Sequence, residues 1–144
     1  MSALYETDFN LWIEATTKTL KEGNFHALDL ENLIEEIESM GRSDKKEIGN
    51  RLEVLIMHLL KWKYQPNKQT NSWRLTINEQ RRAIRRILRA SPSLKPYLRE
   101  NLVDFYQDAR EAAIDETELD PQCFPPDCPF AQGQILDPDY FPNT

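Results

Sequence analysis

Glycine is scarce in this chain, four residues in 144, and the scarcity removes whole classes of chemistry. There is no phosphate-cradling glycine loop and no G-x-S-x-G elbow, so the motifs of a P-loop enzyme and of a serine hydrolase are both missing. The periodic segments rarely alternate with period two, which, with so few glycines for tight turns, speaks against a sheet protein. Cysteine is as rare. Cys123 and Cys128 stand in a C-x₄-C spacing with prolines between them and no second pair, a weak pattern for zinc, and plain thiols are the expectation. The Glu-x-x-His repeat of bundle di-metal sites is absent. Glu35 or Glu36 with His58 and Glu79 is the conceivable metal set, and Lys61 beside His58 would compete with a cation there. No metal ligands, catalytic residues or cofactor are therefore assigned. No apolar run approaches the roughly eighteen residues of a membrane span. The start, MSALYETDF, lacks a basic region followed by an apolar run. A cytoplasmic protein without a membrane partner is expected.

What the chain does contain is helical periodicity. From Ser43 to Gln65, residues Ile48, Leu52, Leu55, Ile56, Leu59, Leu60 and Trp62 cover about half a helical wheel. A surface helix needs a stripe of only about 100°, so this one requires neighbours on more than one side. Its polar residues Glu47, Arg51, His58, Lys61 and Gln65 fall in one narrow stripe. That stripe reads either as a solvated edge or as a cleft-lining row with acid–base or ligand-binding capacity. Glu35, Glu36, His58 and Lys61 form the candidate polar cluster.

Around this stretch the pattern is regular. Thr7 or Asp8 caps a first helix running to about Glu22, with Gly23 as a left-handed stop. Asp29 caps a second, whose Leu30, Leu33, Ile34, Ile37 and Met40 form its core stripe. Gly41-Arg42-Ser43 predicts a break before the long apolar helix, with Gly41 as stop and Ser43 as a fresh cap. Pro66 ends that helix, and Asn71 or Ser72 caps the next. There Trp73, Ile77, Gln80, Ile84, Ile87 and Leu88 face one way, and Arg74, Arg81, Arg82, Arg85, Arg86 and Arg89 the other. Ser93 caps a last long helix, with Pro96 tolerated in its first turn. Beyond Thr117 lie six of the nine prolines, excluding helix or central strand. Apolar anchors such as Phe124, Phe130 and Ile135 predict an extended, ordered strap.

Charge is segregated along the chain. Residues 1–60 hold 12 acids and 6 bases, residues 61–99 hold 11 bases and one acid, and residues 100–144 hold 11 acids and one base. The arginines either pair internally with the acidic segments or present a face to an acidic protein or a phosphate backbone. The net charge of −6 and the flanking acids rank a protein partner above nucleic acid.

The motifs LYETDFNLWIEAT, NLIEEIESMGRSDKKEI, RLEVLIMHLLKWKYQP, SWRLTINEQRRAI, SPSLKPYL, CPF and ILDPDYFP, in this order, make the chain similar to the largely cyanobacterial domain-of-unknown-function family numbered twenty-nine. The resemblance implies an all-helical up-and-down bundle and no activity, cofactor or catalytic residue. The expectation is one all-α domain over 1–144. It has four principal helices, the second interrupted near Gly41, across about 8–117, and an extended tail over about 118–144. Functionally, a small interaction module for a protein partner is expected, monomeric or a small homo-oligomer. A nucleic-acid-binding arginine face is one alternative. An enzyme or ligand-binding cleft around Glu36 and His58 is the other.

Overall fold

The computed structural model describes residues 2–143, and among them every regular element is helical. Seven α-helices follow in chain order: α1 (Ser2–Thr7), α2 (Phe9–Lys21), α3 (Leu30–Tyr64), α4 (Asn71–Ala90), α5 (Leu94–Glu100), α6 (Leu102–Thr117) and α7 (Gln132–Leu136). The chain divides into two compact units, Met1–Ser43 and Asp44–Thr144.

In the first unit Asp8 caps α2 by accepting the Leu11 N–H at 3.1 Å, which satisfies one of the donors a helix start leaves unpaired. Gly23 follows α2 at φ 71°, the left-handed stop that its missing Cβ allows. The rings of Tyr5, Phe9 and Trp12 cluster, with Tyr5 and Trp12 edge-to-face at 4.9 Å and Phe9 stacked on Trp12 at 5.7 Å. Among the described residues of this unit only Trp12 and Thr16 are buried.

The expected interruption near Gly41 is not there: α3 runs unbroken from Leu30 to Tyr64. A glycine inside a helix costs about 1 kcal/mol against alanine, too little to end one when its flanks hold together. Arg42 pairs back across Gly41, to Glu35 at 2.7 Å and to Glu38 at 3.8 Å, exposed contacts that add about 0–1 kcal/mol each. Ser43 is an interior helical residue and caps nothing. The sequence signal at 41–43 marks a boundary in packing, where one compact unit gives way to the next, and not a break in the backbone.

The core of the second unit is built on the later part of α3. Ile48, Leu52, Leu55, Ile56, Leu59 and Leu60 are fully buried, joined by Ile77 and Ile84 of α4, Leu98 of α5, and Tyr106, Ala109 and Ala113 of α6. Each such aliphatic burial contributes about 1.5–3 kcal/mol. Gly49 matters by its smallness: a Cβ there would stand 3.0 Å from the Phe105 ring. The cap of α4 is Thr70, accepting the Trp73 N–H at 3.2 Å, one residue before the expected Asn71 or Ser72. The expected last long helix is two helices. Asn101 divides them, its side-chain amide donating to the Tyr97 carbonyl at 2.8 Å in the local competition with helix geometry typical of asparagine.

The proline-rich tail is ordered, and it is more structured than an extended strap. It holds a 3-10 turn (Pro121–Cys123) and α7, whose first turn is fixed by the Ala131 N–H donating to the Gln134 side chain at 2.9 Å. Phe124, Phe130 and Ile135 are buried in the core. Proline strips N–H groups from this segment and leaves carbonyls that need donors. Side chains of α6 supply them: Tyr106 to Pro125 O, Gln107 to Pro126 O at 2.9 Å, and Arg110 to Pro121 O at 2.8 Å and to Phe124 O. Both cysteines are free thiols.

Candidate functional site

The candidate polar row resolves into local clusters. Glu35 is exposed and bound by Arg42. Glu36 accepts a hydrogen bond from the Tyr5 hydroxyl at 2.5 Å. That bond, with some desolvation and the nearby charge of Glu36 and Glu35, pushes the Tyr5 pKa up to about 12. Both glutamates thus find partners within Met1–Ser43.

His58 and Lys61 find theirs in the second unit. One turn apart on α3, they share a neighbourhood with Glu116 and Trp73. The Lys61 ammonium is almost wholly buried, donates to Glu116 at 2.7 Å and lies 4.5 Å from the centre of the Trp73 ring. A buried ammonium requires such compensation, since desolvation alone would expel the charge. His58 Nδ1 lies 2.8 Å from Val54 O, so that nitrogen is the donor and Nε2 carries the lone pair. Burial pulls the His58 pKa below 6.5, and the Lys61 charge acts in the same direction; the Val54 bond and Glu116 oppose them. The Lys61–Glu116 pair ties α6 to α3, with His58 one turn away bonded within α3 itself. Glu116 was invisible to the sequence argument, although an isolated lysine on so apolar a helix called for a carboxylate from the acidic segment after residue 100. Among the described residues no three His, Cys, Asp or Glu converge to hold a metal ion.

The arginine face divides differently. Arg81, expected on it, is fully buried. Its Nε donates to Ile135 O at 2.8 Å, a terminal nitrogen donates to Gln134 O at 3.2 Å, and the guanidinium lies 5.4 Å from the Phe141 ring centre. Burial lowers its pKa and Asp137 opposes that shift. Arg81 is a tether for the tail and not a surface group. Arg74 is exposed and bonded to Asn71, at 2.6 Å in the shorter contact.

The remaining four arginines stay together. Arg82, Arg85, Arg86 and Arg89 alone line a surface cleft of about 380 Å³. They recur at i, i+3, i+4 and i+7, one face of α4. Among the described residues none of the four forms an ion pair. Among the described residues the carboxylates in ion pairs are taken by other bases: Glu22 by Lys18, Glu35 and Glu38 by Arg42, Glu47 by Arg51 and Glu116 by Lys61. Arg85 Nε is buried and has no hydrogen-bond partner. Internal pairing therefore does not account for this part of the face. Neighbouring like charges on a helix cost about 0.2–0.5 kcal/mol per pair. The negative end of the helix dipole favours Arg89 in the last turn but fades within a turn, short of Arg82.

Comparison with known proteins adds one finding. The family model described as domain of unknown function DUF29 matches residues 4–141. Neither a curated protein nor a solved structure matches the chain.

Proposed function

We propose that this chain, which belongs to the DUF29 family, is a small cytoplasmic interaction module that binds an acidic segment of a partner protein through Arg82, Arg85, Arg86 and Arg89. The observation that carries the reading is the four-arginine cleft without a carboxylate. The planar, permanently charged guanidinium forks are suited to bidentate carboxylate recognition. An acidic peptide relieves the mutual repulsion of the four.

A phosphate backbone offers the same oxygens, which makes nucleic acid the second reading. The 11 acids against one base in residues 100–144, and the net charge of −6, set a repulsive background for a long polyanion. A short acidic segment meets less of it.

Fluorescence anisotropy with a labelled Asp/Glu-rich peptide and, in parallel, with DNA and RNA oligonucleotides at low salt separates the readings. The expected result is saturable peptide binding that weakens with salt and is lost on Arg82→Glu/Arg86→Glu. Oligonucleotide binding with no peptide binding, or peptide binding untouched by the double reversal, overturns the proposal.

A further inference from the structure

The first unit carries a surface of the opposite character. Of the large apolar side chains the structure exposes, Leu75 and Val103 lie elsewhere. Phe9, Leu11, Ile13, Leu20, Phe25, Leu30, Ile34, Ile37 and Met40 all belong to Met1–Ser43. Their exposures run from 41% at Leu20 to 66% at Phe25, although the unit buries only Trp12 and Thr16 among its described residues. Single exposed apolar residues are ordinary, but a contiguous set marks an interaction surface. Four of the nine, Phe9, Ile13, Leu20 and Met40, line one groove. Phe9, Ile13 and Leu20 of α2 and Leu33 and Met40 of α3 wall a groove of about 410 Å³ over Trp12. Along α2 it extends from Phe9 to Leu20, roughly three helical turns or about 16 Å. Anchors at i, i+4 and i+7 of a docked helix span about 10.5 Å and fit within it.

Charge selects the occupant. Residues 1–43 hold nine acids and three bases. Glu36 lines the groove itself, while Glu14 on α2 and Glu31 on α3 form no ion pair among the described residues. The same surface of a second copy would bring the same acidic excess against it. A helix with basic flanks would meet the acids with opposite charge, which favours both encounter rate and orientation.

We propose that the groove between α2 and the first turns of α3 docks an amphipathic helix of another protein, its apolar stripe flanked by Lys or Arg. This surface is separate from the arginine cleft, and the chain thereby offers one docking site of each sign.

The test uses the full chain and three labelled peptides: an amphipathic Leu/Lys helix, a Leu/Glu helix with the same apolar stripe, and a scrambled Leu/Lys sequence. The Leu/Lys helix is expected to bind at least about tenfold more tightly than either control (about 1.4 kcal/mol). Ile13→Lys/Leu20→Lys changes exposed residues, and it should abolish that preference while leaving the circular dichroism spectrum unchanged. Met40→Lys, on the other wall, is the second variant should the first fail to fold. Arg82→Glu/Arg86→Glu should leave the preference intact, which separates this proposal from the arginine-cleft reading. Equal binding of the Leu/Lys and Leu/Glu helices overturns it. So does a preference unmoved by the groove variants, or a dimer in sedimentation velocity that those variants dissociate.

Discussion

Arg81 makes the sharpest test of how the tail is held. Its guanidinium is fully buried and donates to the carbonyls of Ile135 and Gln134 at 2.8 and 3.2 Å. Hydrogen bonds from charged groups contribute about 1.5–3 kcal/mol each, so the two are worth about 3–6 kcal/mol gross. Against this stands the desolvation of the cation, for which no carboxylate comes within ion-pair range among the described residues. Replacement by Met restores apolar packing against Phe141 and removes the buried charge, but leaves two carbonyls near α7 without their donors. A net loss of about 2–3 kcal/mol follows. With a urea slope of about 1–1.5 kcal/mol/M for a unit of this size, the unfolding midpoint falls by roughly 2 M. Arg81→Lys keeps the charge and loses the fork, so it recovers at most one of the two bonds. The discriminating readout is amide hydrogen exchange. In Arg81→Met the α7 amides should open faster than those of α3 by a wider margin than in wild type. Unchanged midpoint and unchanged α7 protection would refute the tether.

Three further outcomes are expected. His58 resists protonation in the folded state, so the unfolded chain gains a proton near pH 6.5 that the folded one refuses; its contribution is present above that pH and is lost as pH falls through 6.5 toward the lower folded value. The thermal midpoint of His58→Gln should therefore drop less than wild type between about pH 7 and about pH 5, and parallel pH profiles would count against the assignment. Glu116→Ala strands the buried Lys61 ammonium with only the Trp73 face, yet Glu116 is itself half exposed (51%). A cost of about 1–2 kcal/mol is expected, larger than that of Lys61→Met, which removes the charge altogether; chemical denaturation of the two variants ranks them. Glu118, at φ 58° just past α6, occupies a left-handed position where glycine is at ease. Glu118→Gly should raise stability by about 0.5–1 kcal/mol, and a loss in calorimetry would argue against strain at that cap.

Much of the helical pattern was legible in the residues. Asp8 marks a helix end through its side-chain carboxylate, Gly23 and Pro66 through their backbones. From Ile48 onward the apolar side of α3 is the buried one because burial follows a period of 3.6. The expected core stripe of its first turns is not buried, since Leu30, Ile34, Ile37 and Met40 are exposed. Gly41 misleads because a helix-interior glycine costs only about 1 kcal/mol, too little to break a helix that continues on both sides. Arg81 misleads by residue type. By spacing it stands four residues after Ile77 and three before Ile84, both fully buried, which places it on the inward face; its charge suggested the outward one. Arg82, Arg86 and Arg89 lie farther round the wheel and are exposed, with Arg85 half-buried between. Partners were the least legible feature, since Lys61–Glu116 and Tyr5–Glu36 join residues far apart in sequence.

Four polar side chains of the second unit, Arg81, Tyr106, Gln107 and Arg110, share a cause that no single helix reveals. The six prolines after Thr117 remove the N–H groups with which a chain normally satisfies its own carbonyls. A tail so composed is held by donors from outside itself or it is solvated. Arg81, Tyr106, Gln107 and Arg110 each send a donor to a tail carbonyl, and none of these bonds depends on a regular ladder. Arg110 is the one base in residues 100–144, and it is spent on carbonyls rather than on the acids around it. Arginines that hold the tail are thereby distinguished from those that do not: among the described residues Arg82, Arg85, Arg86 and Arg89 form no ion pair, and the packing of the tail gives their charges no role.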